Sequence, residues 1–524
     1  MPARLREAVA GGALLAAVAA GLFFQDLGRY PLWDPDEARH AEVAREMATA
    51  RGWRRLVLPT LELGPYREKP PGHYWLVSLA YAALGVGAGA ARVPSAAAAW
   101  LLVMAVYAWM VPRAGPVAAL GTGLVAATSA GWLGLARYAN LDMTFTACVT
   151  LGVLAGLRWL ERPPPRPPML APYFAAAAGT LIKGPLAVLL VFGPVGLAAL
   201  ASRPRPTWRE IGIGRGLAAF GAVVACVALP LALLDPPTLR ALLATNVRRL
   251  EAASPHAAPI WYYALWLPGL LLPWTLLAPV ALVRAARDPQ RRVLVAWAAF
   301  VPLLLTLARG KLATYVLPAL PPLALIVGPE LAAVVERRGA SATRPLAVAG
   351  WLGVVLLVAA AVTATAGARA YPVGALGRIA LVTGALGWAL ALALALAGGR
   401  PYAVPLALLG AVLTLHPIFI RFWAPAVSEL HSDEAIARLV AGTPRAPVIA
   451  FGSQAPSLVF YLGAPVVHTD DVRVVRDVFD GDGPAFVVTG RRHVREIEGV
   501  LGPRGHLWYG TPRRRLYANL PPPR

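Results

Sequence analysis

Three carboxylates lie close together near the start of the chain, in the segment Tyr-Pro-Leu-Trp-Asp-Pro-Asp-Glu-Ala-Arg-His at residues 30–40. Clustered carboxylates in a partly desolvated site raise each other's pKa, which suits a general base. The alternative is that Asp34 caps a helix over 36–50, with further acids in its first turn. Capping accounts for Asp34, but two more acids exceed what a cap requires. We therefore take Asp36 and Glu37 as candidate catalytic residues.

A fourth carboxylate, Asp142, is the only acid between residues 91 and 160. It follows Asn140 at the start of an apolar run. Placing an ionisable side chain at the end of a membrane span costs less free energy than placing it at mid-membrane. Such residues are nevertheless candidates for function. The alternative is a helix N-terminus capped together with Asn140, and both interpretations stay open.

Lysine is rare in this chain, which has 49 basic residues but only three lysines: Lys69, Lys183 and Lys311. Lys69 ends the first polar loop, while the other two lie in the breaks Lys-Gly-Pro and Arg-Gly-Lys between apolar runs. A compact ammonium differs from the planar arginine fork, so these positions could need its geometry. The alternatives are chance and simple anchoring at the membrane interface. Cations beside carboxylates on one face indicate a phosphate leaving group next to a base.

The composition predicts a polytopic α-helical membrane protein. Of 524 residues, 58% are hydrophobic and only 15% are charged, whereas soluble domains have about 25% charged residues. The net charge of +22 comes from short arginine clusters between apolar runs. That is the pattern of membrane topology, so we expect no nucleic-acid partner. Both cysteines fall inside predicted spans, and no disulfide or metal cluster is implied.

The arginine clusters also predict the topology. Arg4 and Arg6 place the N-terminus in the cytoplasm, and the later clusters separate apolar runs in pairs. If the segment 74–90 crossed the membrane, all later arginine clusters would lie on the outer side. We therefore interpret it as a helix in the outer interface. The outer side then includes residues 26–92, 133–141, 183, 235–260 and 309–311, and the C-terminus. About thirteen crossings of ~20 residues are predicted, at 9–22, 93–111, 116–132, 142–160, 169–182, 184–201, 215–234, 261–283, 293–308, 312–335, 345–367, 377–398 and 402–422.

After residue 423 the composition changes, which divides the chain into a transmembrane domain at 1–423 and a small periplasmic α/β domain at 424–524. The predicted catalytic loop, 26–92, belongs to the first. In the second, strands are predicted at 448–451, 466–468, 485–489 and 516–518, with helices at 457–462, 472–479 and 494–501. It has no glycine-rich phosphate loop and no metal-ligand spacing. Docking, acceptor binding and a structural cap remain open as its role.

The polar motifs resemble those of the lipid-linked-sugar, polyprenyl-phosphate-dependent glycosyltransferases, the family of the lipid A aminoarabinose transferase and, more distantly, the protein O-mannosyltransferases. They are collinear over residues 30–330. The matching segments are Asp36-Glu-Ala-Arg-His-Ala-Glu, Ala44-Arg-Glu-Met, Tyr66-Arg-Glu-Lys-Pro-Pro-Gly-His-Tyr-Trp, Arg92-Val-Pro-Ser, Ala139-Asn-Leu-Asp-Met, Lys183-Gly-Pro, Trp261-Tyr-Tyr, Leu272-Pro-Trp and Lys311-Leu-Ala-Thr-Tyr-Val-Leu-Pro. Departures are Pro35 between two acids, and Ala313 where a proline is expected.

This resemblance implies a C-type glycosyltransferase fold with a membrane-level cavity open to the outside. It makes Asp36 the main catalytic carboxylate and Asp142 the second acid, with Glu37 beside them. The candidate donor-phosphate ligands are Lys69, Lys183, Lys311, Arg309 and Tyr66. Relatives can hold a metal near the residues that correspond to Glu68 and His256. Two ligands make a weak site, so a divalent metal is allowed but not required.

The expected activity is transfer of a sugar from undecaprenyl phosphate to an envelope acceptor, with inversion at the anomeric carbon. The acceptor is lipid A, another surface glycan or a protein, reached from the periplasmic face of a bacterial inner membrane. A flippase for lipid-linked sugars is the main alternative, but it does not require the loop containing Asp36 and Lys69. A non-catalytic scaffold is a second alternative, and it does not require three separate lysines on one face.

Overall fold

Long apolar helices form most of the chain up to residue 428. The computed structural model describes residues 3–248, 256–336, 343–367, 371–443 and 446–522. Within these residues, eight helices have the length and apolar composition needed to cross a membrane. This agrees with the polytopic helical architecture that the composition predicts.

The first outer loop contains two packed helices rather than an irregular chain. After α1 (Ala3–Phe24) come α2 (Asp36–Thr49), a two-stranded hairpin of β1 (Thr60–Leu61) and β2 (Gly64–Pro65), and α3 (Gly72–Leu84). Tyr74 and Val77 of α3 pack on the alanines of α2 in one apolar cluster. Only 13 residues long, α3 is shorter than a membrane span.

The next helices contain a break that the sequence anticipates. Helix α4 has non-helical backbone angles at Gly115, between Pro112 and Pro116, where two separate spans are predicted. Proline removes a helical hydrogen bond and interrupts the helix. The helices of this part are α4 (Ala88–Thr128), α5 (Ala130–Ala136), α6 (Leu141–Leu160), α7 (Ala171–Lys183), α8 (Leu186–Ala201), α9 (Trp208–Ile211), α10 (Ile213–Leu234) and α11 (Pro236–Arg248).

The predicted span 261–283 is two short helices separated at Pro273. Close packing joins the halves of the bundle, because a Cβ at Gly121 would lie 2.6 Å from the carbonyl oxygen of Gly328. Small residues allow such approach between membrane helices. The remaining helices of this part are α12 (Tyr262–Leu271), α13 (Ala278–Arg287), α14 (Arg292–Thr306), α15 (Leu320–Glu336), α16 (Thr343–Gly367), α17 (Ala375–Ala397), α18 (Val404–Ile418) and α19 (Ala424–Ser428).

The last part of the chain forms a five-stranded sheet with helices. Its elements are α20 (Glu434–Ala441), β3 (Val448–Phe451), α21 (Pro456–Leu462), β4 (Val467–Thr469), α22 (Val472–Phe479), β5 (Phe486–Gly490), α23 (Val494–Leu501), β6 (His506–Gly510) and β7 (Arg514–Ala518). The strand order is β4-β3-β5-β7-β6. Strands β3, β4 and β5 are parallel, and β7 is antiparallel to its neighbours. Each predicted strand is present within two residues, and β6 is additional.

Ion pairs and hydrogen bonds between distant segments group the loops. Arg67 lies 3.8 Å from Asp235, and Glu62 accepts a hydrogen bond from His468 at 2.9 Å. Residues 62–67, 235 and the sheet domain are therefore neighbours at one end of the helix bundle. The arginine-rich breaks pair separately, Arg113 with Glu161, Arg166 with Glu210, and Arg284 and Arg291 with Glu330. This grouping matches the pairing of spans that the arginine clusters predict.

Candidate functional site

Asp36 begins helix α2 and is partly accessible to solvent. Its side chain is 43% exposed and pairs with Arg39 one turn later. Arg39 also lies 3.6 Å from the carboxylate of Glu68, at the end of the same loop. A carboxylate with one protein partner and an open side retains lone pairs for a substrate. The catalytic role of Asp36 stays a prediction, and this geometry leaves space for it.

Glu37, the next residue, is fully buried. Oε1 accepts from Arg92 Nε at 2.6 Å and from the backbone N–H of Ala139 at 2.9 Å. Oε2 accepts from Arg92 Nη2 at 2.8 Å and from the N–H of Trp33 at 2.9 Å. Four donors leave no open face, so this geometry is that of a residue that positions Asp36. A direct chemical role for Glu37, expected from the sequence, has no support in the structure.

Arg92, the ion-pair partner of Glu37, is also fully buried. Besides Glu37, its guanidinium donates to three backbone carbonyls of the first loop, those of Leu27, Tyr30 and Pro31, at 2.7 to 3.0 Å. It also stacks 3.9 Å from the ring centroid of Tyr30. The planar fork satisfies several acceptors at once, which an ammonium does not reproduce.

Replacing Arg92 by methionine is expected to lower the free energy of unfolding by ~3–5 kcal/mol, because Glu37 is left buried without its partner. Thermal or denaturant unfolding of the purified protein in detergent measures the change. Arg113→Met is the control, since the Arg113–Glu161 pair is partly exposed and is expected to contribute ~1 kcal/mol or less. Equal effects of the two substitutions would contradict this account of Arg92.

Asp142 and Lys183 form a second, buried pair between α6 and α7. The ammonium of Lys183 contacts Oδ1 of Asp142, while Oδ2 accepts from the amide of Asn140 at 3.0 Å. Asn140 in turn caps α6 by accepting from the N–H of Asp142. The structure confirms the capped helix start, while the functional role of Asp142 stays a prediction, now with Lys183 as its ion-pair partner. The Lys183 ammonium also lies 4.3 Å from the ring centroid of Tyr315.

Helix α3 brings the Lys69 loop to the end of α7. A Cβ at Gly72 would lie 2.6 Å from the carbonyl oxygen of Leu181, so only glycine permits this approach. The adjacent His73 donates to or accepts from Thr144 Oγ1 at 3.1 Å, which links α3 to α6 beside Asp142. Burial lowers the pKa of His73 to about 4, so the ring is neutral at physiological pH.

Lys69 and Lys183 both contribute positive charge near His40 of α2. His40 is buried and makes a 3.0 Å hydrogen bond with the hydroxyl of Tyr74. Burial lowers its pKa well below the ordinary value, and the positive charges of Arg39, Lys69 and Lys183 add to the effect. The loop residue Lys69 and the helix residue Lys183 therefore both influence this imidazole. A region with several cations around a neutral imidazole favours binding of an anion.

Lys311 and Arg309 lie apart from these contacts. The ammonium of Lys311 donates to the carbonyls of Ala258 and Ala308 at 3.0 and 2.5 Å, and its backbone N–H donates to the carbonyl of His256 at 2.9 Å. Arg309 is exposed. These bonds tie residues 256–258 to the break at 309–311. None joins Lys311 to the acids predicted to share its site, because backbone carbonyls occupy its ammonium.

Tyr66 and Glu68 interact with each other. Tyr66 is buried, and its hydroxyl donates to Glu68 Oε2 at 3.3 Å. Glu68 also faces Arg39, while His256 is exposed. Within residues 3–248 and the other described ranges, no group of three or more His, Cys, Asp or Glu side chains is placed to hold a metal ion. The pair Glu68 and His256 is not a sufficient ligand set, and we derive no chemical step from a metal.

Several site residues were not predicted individually. His40, His73, Tyr74 and Arg92 all lie inside the motifs recognised from sequence, but no role was assigned to them. Their common feature is burial of a polar side chain, which spacing along the chain does not reveal. The ring nitrogen Nε2 of His73 is buried without a hydrogen-bond partner. Such an atom beside Asp142 is available to a ligand.

Asp34 joins the first loop to the sheet domain. The prediction that it caps α2 is wrong, because its carboxylate accepts from the N–H and hydroxyl of Ser457 at 2.7 and 2.6 Å. The α2 N-terminus has no side-chain cap. Burial raises the pKa of Asp34 to about 7, helped by the nearby charge of Asp433 and opposed by Arg514. This contact spans more than 400 residues of sequence, so local patterns cannot predict it.

Docking of the first loop on the sheet domain is expected to weaken as the pH rises. The raised pKa of Asp34 means that its contribution is fully present below the ordinary pKa of 3.8 and is lost as the pH rises through about 7. His468 has an effect of the same sign, because its hydrogen bond with Glu62 raises its pKa. Its contribution to stability is also lost as the pH rises. Thermal unfolding at pH 5 and pH 8 measures the difference. Asp34→Asn should flatten the dependence and the exposed Asp480→Asn should not; identical slopes for wild type and Asp34→Asn would contradict the assignment.

Comparison with known proteins identifies relatives of this chain. Residues 68–233, which include Lys69, Asp142 and Lys183, match the family model described as dolichyl-phosphate-mannose-protein mannosyltransferase. The undecaprenyl phosphate-alpha-4-amino-4-deoxy-L-arabinose arabinosyl transferase 1 of Pseudomonas fluorescens is 33% identical over 375 residues, 66% of this chain and 64% of the relative. The corresponding Pseudomonas aeruginosa transferase is 33% identical over 337 residues, 60% of this chain and 59% of the relative. The chain thus matches less than two thirds of the length of these relatives.

The fold has a counterpart among solved structures. ArnT from Cupriavidus metallidurans, crystallised with undecaprenyl phosphate, superposes with a TM-score of 0.79. The match covers 98% of this chain and 99% of ArnT at 20% sequence identity, and the apo form gives 0.78. The chain therefore has the ArnT fold. Together these matches confirm the resemblance to lipid-linked-sugar glycosyltransferases that the polar motifs indicate.

Proposed function

We propose that this chain, similar to lipid-linked-sugar glycosyltransferases in sequence and to ArnT in fold, transfers a sugar from undecaprenyl phosphate to an envelope acceptor. The observation that carries this proposal is the buried contact of the Lys183 ammonium with Asp142, which the 3.1 Å hydrogen bond between His73 and Thr144 links to the loop of Asp36 and Lys69. A base and a pair of cations in one place suit cleavage of a glycosyl phosphate. The named relatives act with an undecaprenyl phosphate-linked aminoarabinose, which is the donor we infer.

The proposed chemistry is a single displacement with inversion. A nucleophilic oxygen of the acceptor attacks the anomeric carbon opposite the phosphate, and Asp36 accepts its proton or orients it. The bond between the anomeric carbon and the phosphate oxygen breaks, and its electron pair leaves on undecaprenyl phosphate. Lys69 and Lys183 neutralise the developing phosphate charge. No other reactant is needed for the atoms and charges to balance.

The surrounding residues position these groups. Asp142 holds the Lys183 ammonium, and Glu37 with Arg92 fixes the start of α2. We propose that Tyr66 positions Glu68, which lies against Arg39, and that it does not bind the donor phosphate directly. We propose a structural role for Lys311 and Arg309, in the segment that hydrogen bonds join to residues 256–258. A positioning residue changes turnover through the geometry of its neighbour, so its substitution should alter stability as well.

We further propose a C-type glycosyltransferase architecture of about thirteen spans, with a transmembrane domain at 1–423 and a periplasmic domain at 424–524. The site would face the periplasm from a bacterial inner membrane. Supporting contacts join Arg67 to Asp235 and Glu62 to His468. The acceptor is lipid A, another surface glycan or a protein.

Single cysteines at positions 67, 235 and 470 are expected to react with an impermeant thiol reagent from the periplasmic side, and one at position 287 is not. The background carries Cys148→Ala and Cys226→Ala, which remove the native thiols. Labelling is measured on intact cells with permeabilised cells as the reference. Labelling at position 287, or protection at position 470, would show that residues 74–90 cross the membrane and that the topology is inverted.

The activity is tested by incubating purified protein in detergent with sugar-labelled undecaprenyl phosphate donors and an envelope lipid extract. A transferase moves the label to a new product and releases undecaprenyl phosphate. A flippase leaves the donor chemically intact in detergent, where there is no second leaflet. Intact donor for every sugar tested, with a folded protein, would contradict the proposal.

A further inference from the structure

The sheet domain concentrates positive charge at one place. Residues 424–524 contain twelve arginines and ten acidic residues, so the domain is nearly neutral. Six of those arginines nevertheless lie in two short segments, 491–495 and 513–515. The two segments are adjacent in space, because the N–H of Arg491 donates to the carbonyl of Arg513 at 3.2 Å. Such clustering on one face is typical of anion binding.

These segments border a cleft of about 860 Å³ at the carboxyl ends of β3 and β5. The chain runs from β3 to the edge strand β4 and returns to β5 on the opposite side of β3. The strand order therefore reverses between β3 and β5. In open α/β sheets, the crevice outside the carboxyl ends of strands at such a reversal is the usual ligand site.

The floor of the cleft is occupied by internal contacts. Arg514 lies 3.3 Å from Asp433 and 4.0 Å from Asp34, and it donates to Ser453 Oγ at 2.5 Å. Arg513 contacts the ring of His431 at 3.0 Å. These bonds hold the cleft directly against the loop that carries Asp34, two residues before Asp36.

The rim of the cleft contains two arginines that are not held by such ion pairs in the described part of the chain. Arg491 and Arg492 are exposed and line the cleft, and neither makes an ion pair among the residues that the structure describes. His493 lies between them and the floor, over Gly452. Because Gly452 has φ +68° and a Cβ there would meet the His493 ring at 2.5 Å, only glycine permits this placement. The rim thus contains two exposed arginines, beside a His493 ring that hydrogen-bonds to Glu496 at 3.0 Å.

We propose that this cleft binds a phosphate monoester group of the acceptor, at a point separate from the transfer site. The proposal rests on the proposed function, because it assigns the acceptor to phosphorylated envelope glycans. Guanidinium forks form paired hydrogen bonds with phosphate oxygens, which makes arginine the suited residue. Asp34, Asp433 and Arg514 are engaged with one another on the floor, so the phosphate binds at the rim on Arg491 and Arg492. The bound group then aligns the acceptor with Asp36.

The test measures binding of glucose 1-phosphate to the full chain in phosphatidylcholine nanodiscs, with undecaprenyl phosphate in excess to fill the transfer site. Wild type is expected to bind glucose 1-phosphate saturably and to ignore glucose. The double variant Arg491→Gln/Arg492→Gln should bind at least about tenfold more weakly, since it loses the charged hydrogen bonds to the phosphate. Arg473→Gln/Arg476→Gln removes the same charge from exposed residues of α22 outside the cleft, and should bind as wild type does.

Equal binding by wild type and the Arg491→Gln/Arg492→Gln variant, or no binding by wild type, would overturn the proposal. A second arm replaces the nanodisc lipid with phosphatidylglycerol. Persistence of binding supports a glycan phosphate as the ligand, whereas its loss by competition would assign the cleft to a bilayer headgroup and overturn the assignment to the acceptor. Because binding is measured without turnover, its failure leaves the proposed transfer intact. Intact cleft binding without any transfer would instead remove the proposed function.

Discussion

Replacing Asp36 by asparagine is expected to lower turnover by about a hundredfold or more while leaving the protein folded. Asparagine preserves the shape of the side chain but cannot accept a proton. The side chain is 43% exposed and has Arg39 as its ion-pair partner, so little stability depends on it. Turnover is measured with saturating donor on an acceptor that reacts through a hydroxyl. On an acceptor that is already an anionic phosphate the loss should be smaller, because no proton has to be removed.

The matched control is Asp26→Asn in the same outer loop. Asp26 is exposed and has φ 52°, a conformation that asparagine tolerates. It should have normal turnover and the same unfolding temperature as wild type. Near-normal turnover of a folded Asp36→Asn protein would remove Asp36 from the chemistry and leave the cations alone to account for the activity.

The pair formed by Lys183 and Asp142 gives the second large effect. Lys183→Met leaves a buried carboxylate without its cation, so we expect a loss of ~3–5 kcal/mol in unfolding free energy together with loss of turnover. Asp142→Asn/Lys183→Met removes both charges, and its stability should return close to that of wild type. Its turnover should not return, because the leaving phosphate still lacks a cation. Unfolding and turnover are measured on the same preparations.

Recovery of both stability and turnover in the double variant would make the pair purely structural. Lysine-to-arginine variants refine the test, since arginine keeps the charge but brings a wider planar group. Lys69→Arg and Lys183→Arg are expected to impair transfer, and the methionine variants more so. Lys311→Arg should affect stability more than turnover, because its ammonium is bound to backbone carbonyls. Wild-type donor binding and turnover in both arginine variants would contradict the phosphate role of Lys69 and Lys183.

The sequence predicts much of the architecture because the relevant signals are local. Apolar runs between arginine clusters identify the helices, and Pro112 with Pro116 identifies the break in α4. Period-2 apolar patterns identify β3, β4, β5 and β7. Strand β6 was missed because it is an edge strand whose pairing with β7 is irregular between Leu507 and Tyr509. Its residues 506–510 therefore lack a regular alternation.

The site was predicted in part, for the same physical reason. The charges of Asp36, Lys69, Asp142 and Lys183 were identifiable because charged residues are rare in this chain. The burial of Glu37 could not be predicted from the sequence, because it depends on a contact with Arg92, 55 residues later. The contact of Asp34 with Ser457 and the carbonyl contacts of Lys311 likewise depend on distant segments. Pairings across such distances are set by packing, which single-residue type and spacing do not encode.

The central claim is that the chain breaks the bond between the sugar and the phosphate of a polyprenyl-phosphate donor. The most direct measurement uses undecaprenyl phosphate-aminoarabinose with ³H in the sugar and ³²P in the phosphate, added to the purified protein with an envelope lipid extract. We predict that ³H appears in the product while ³²P stays on the undecaprenyl chain, and that Asp36→Asn slows this separation by about a hundredfold or more on hydroxyl acceptors. Transfer of both labels together would show cleavage on the other side of the phosphorus, and retention of both in the donor would show no transfer; either result would contradict the account.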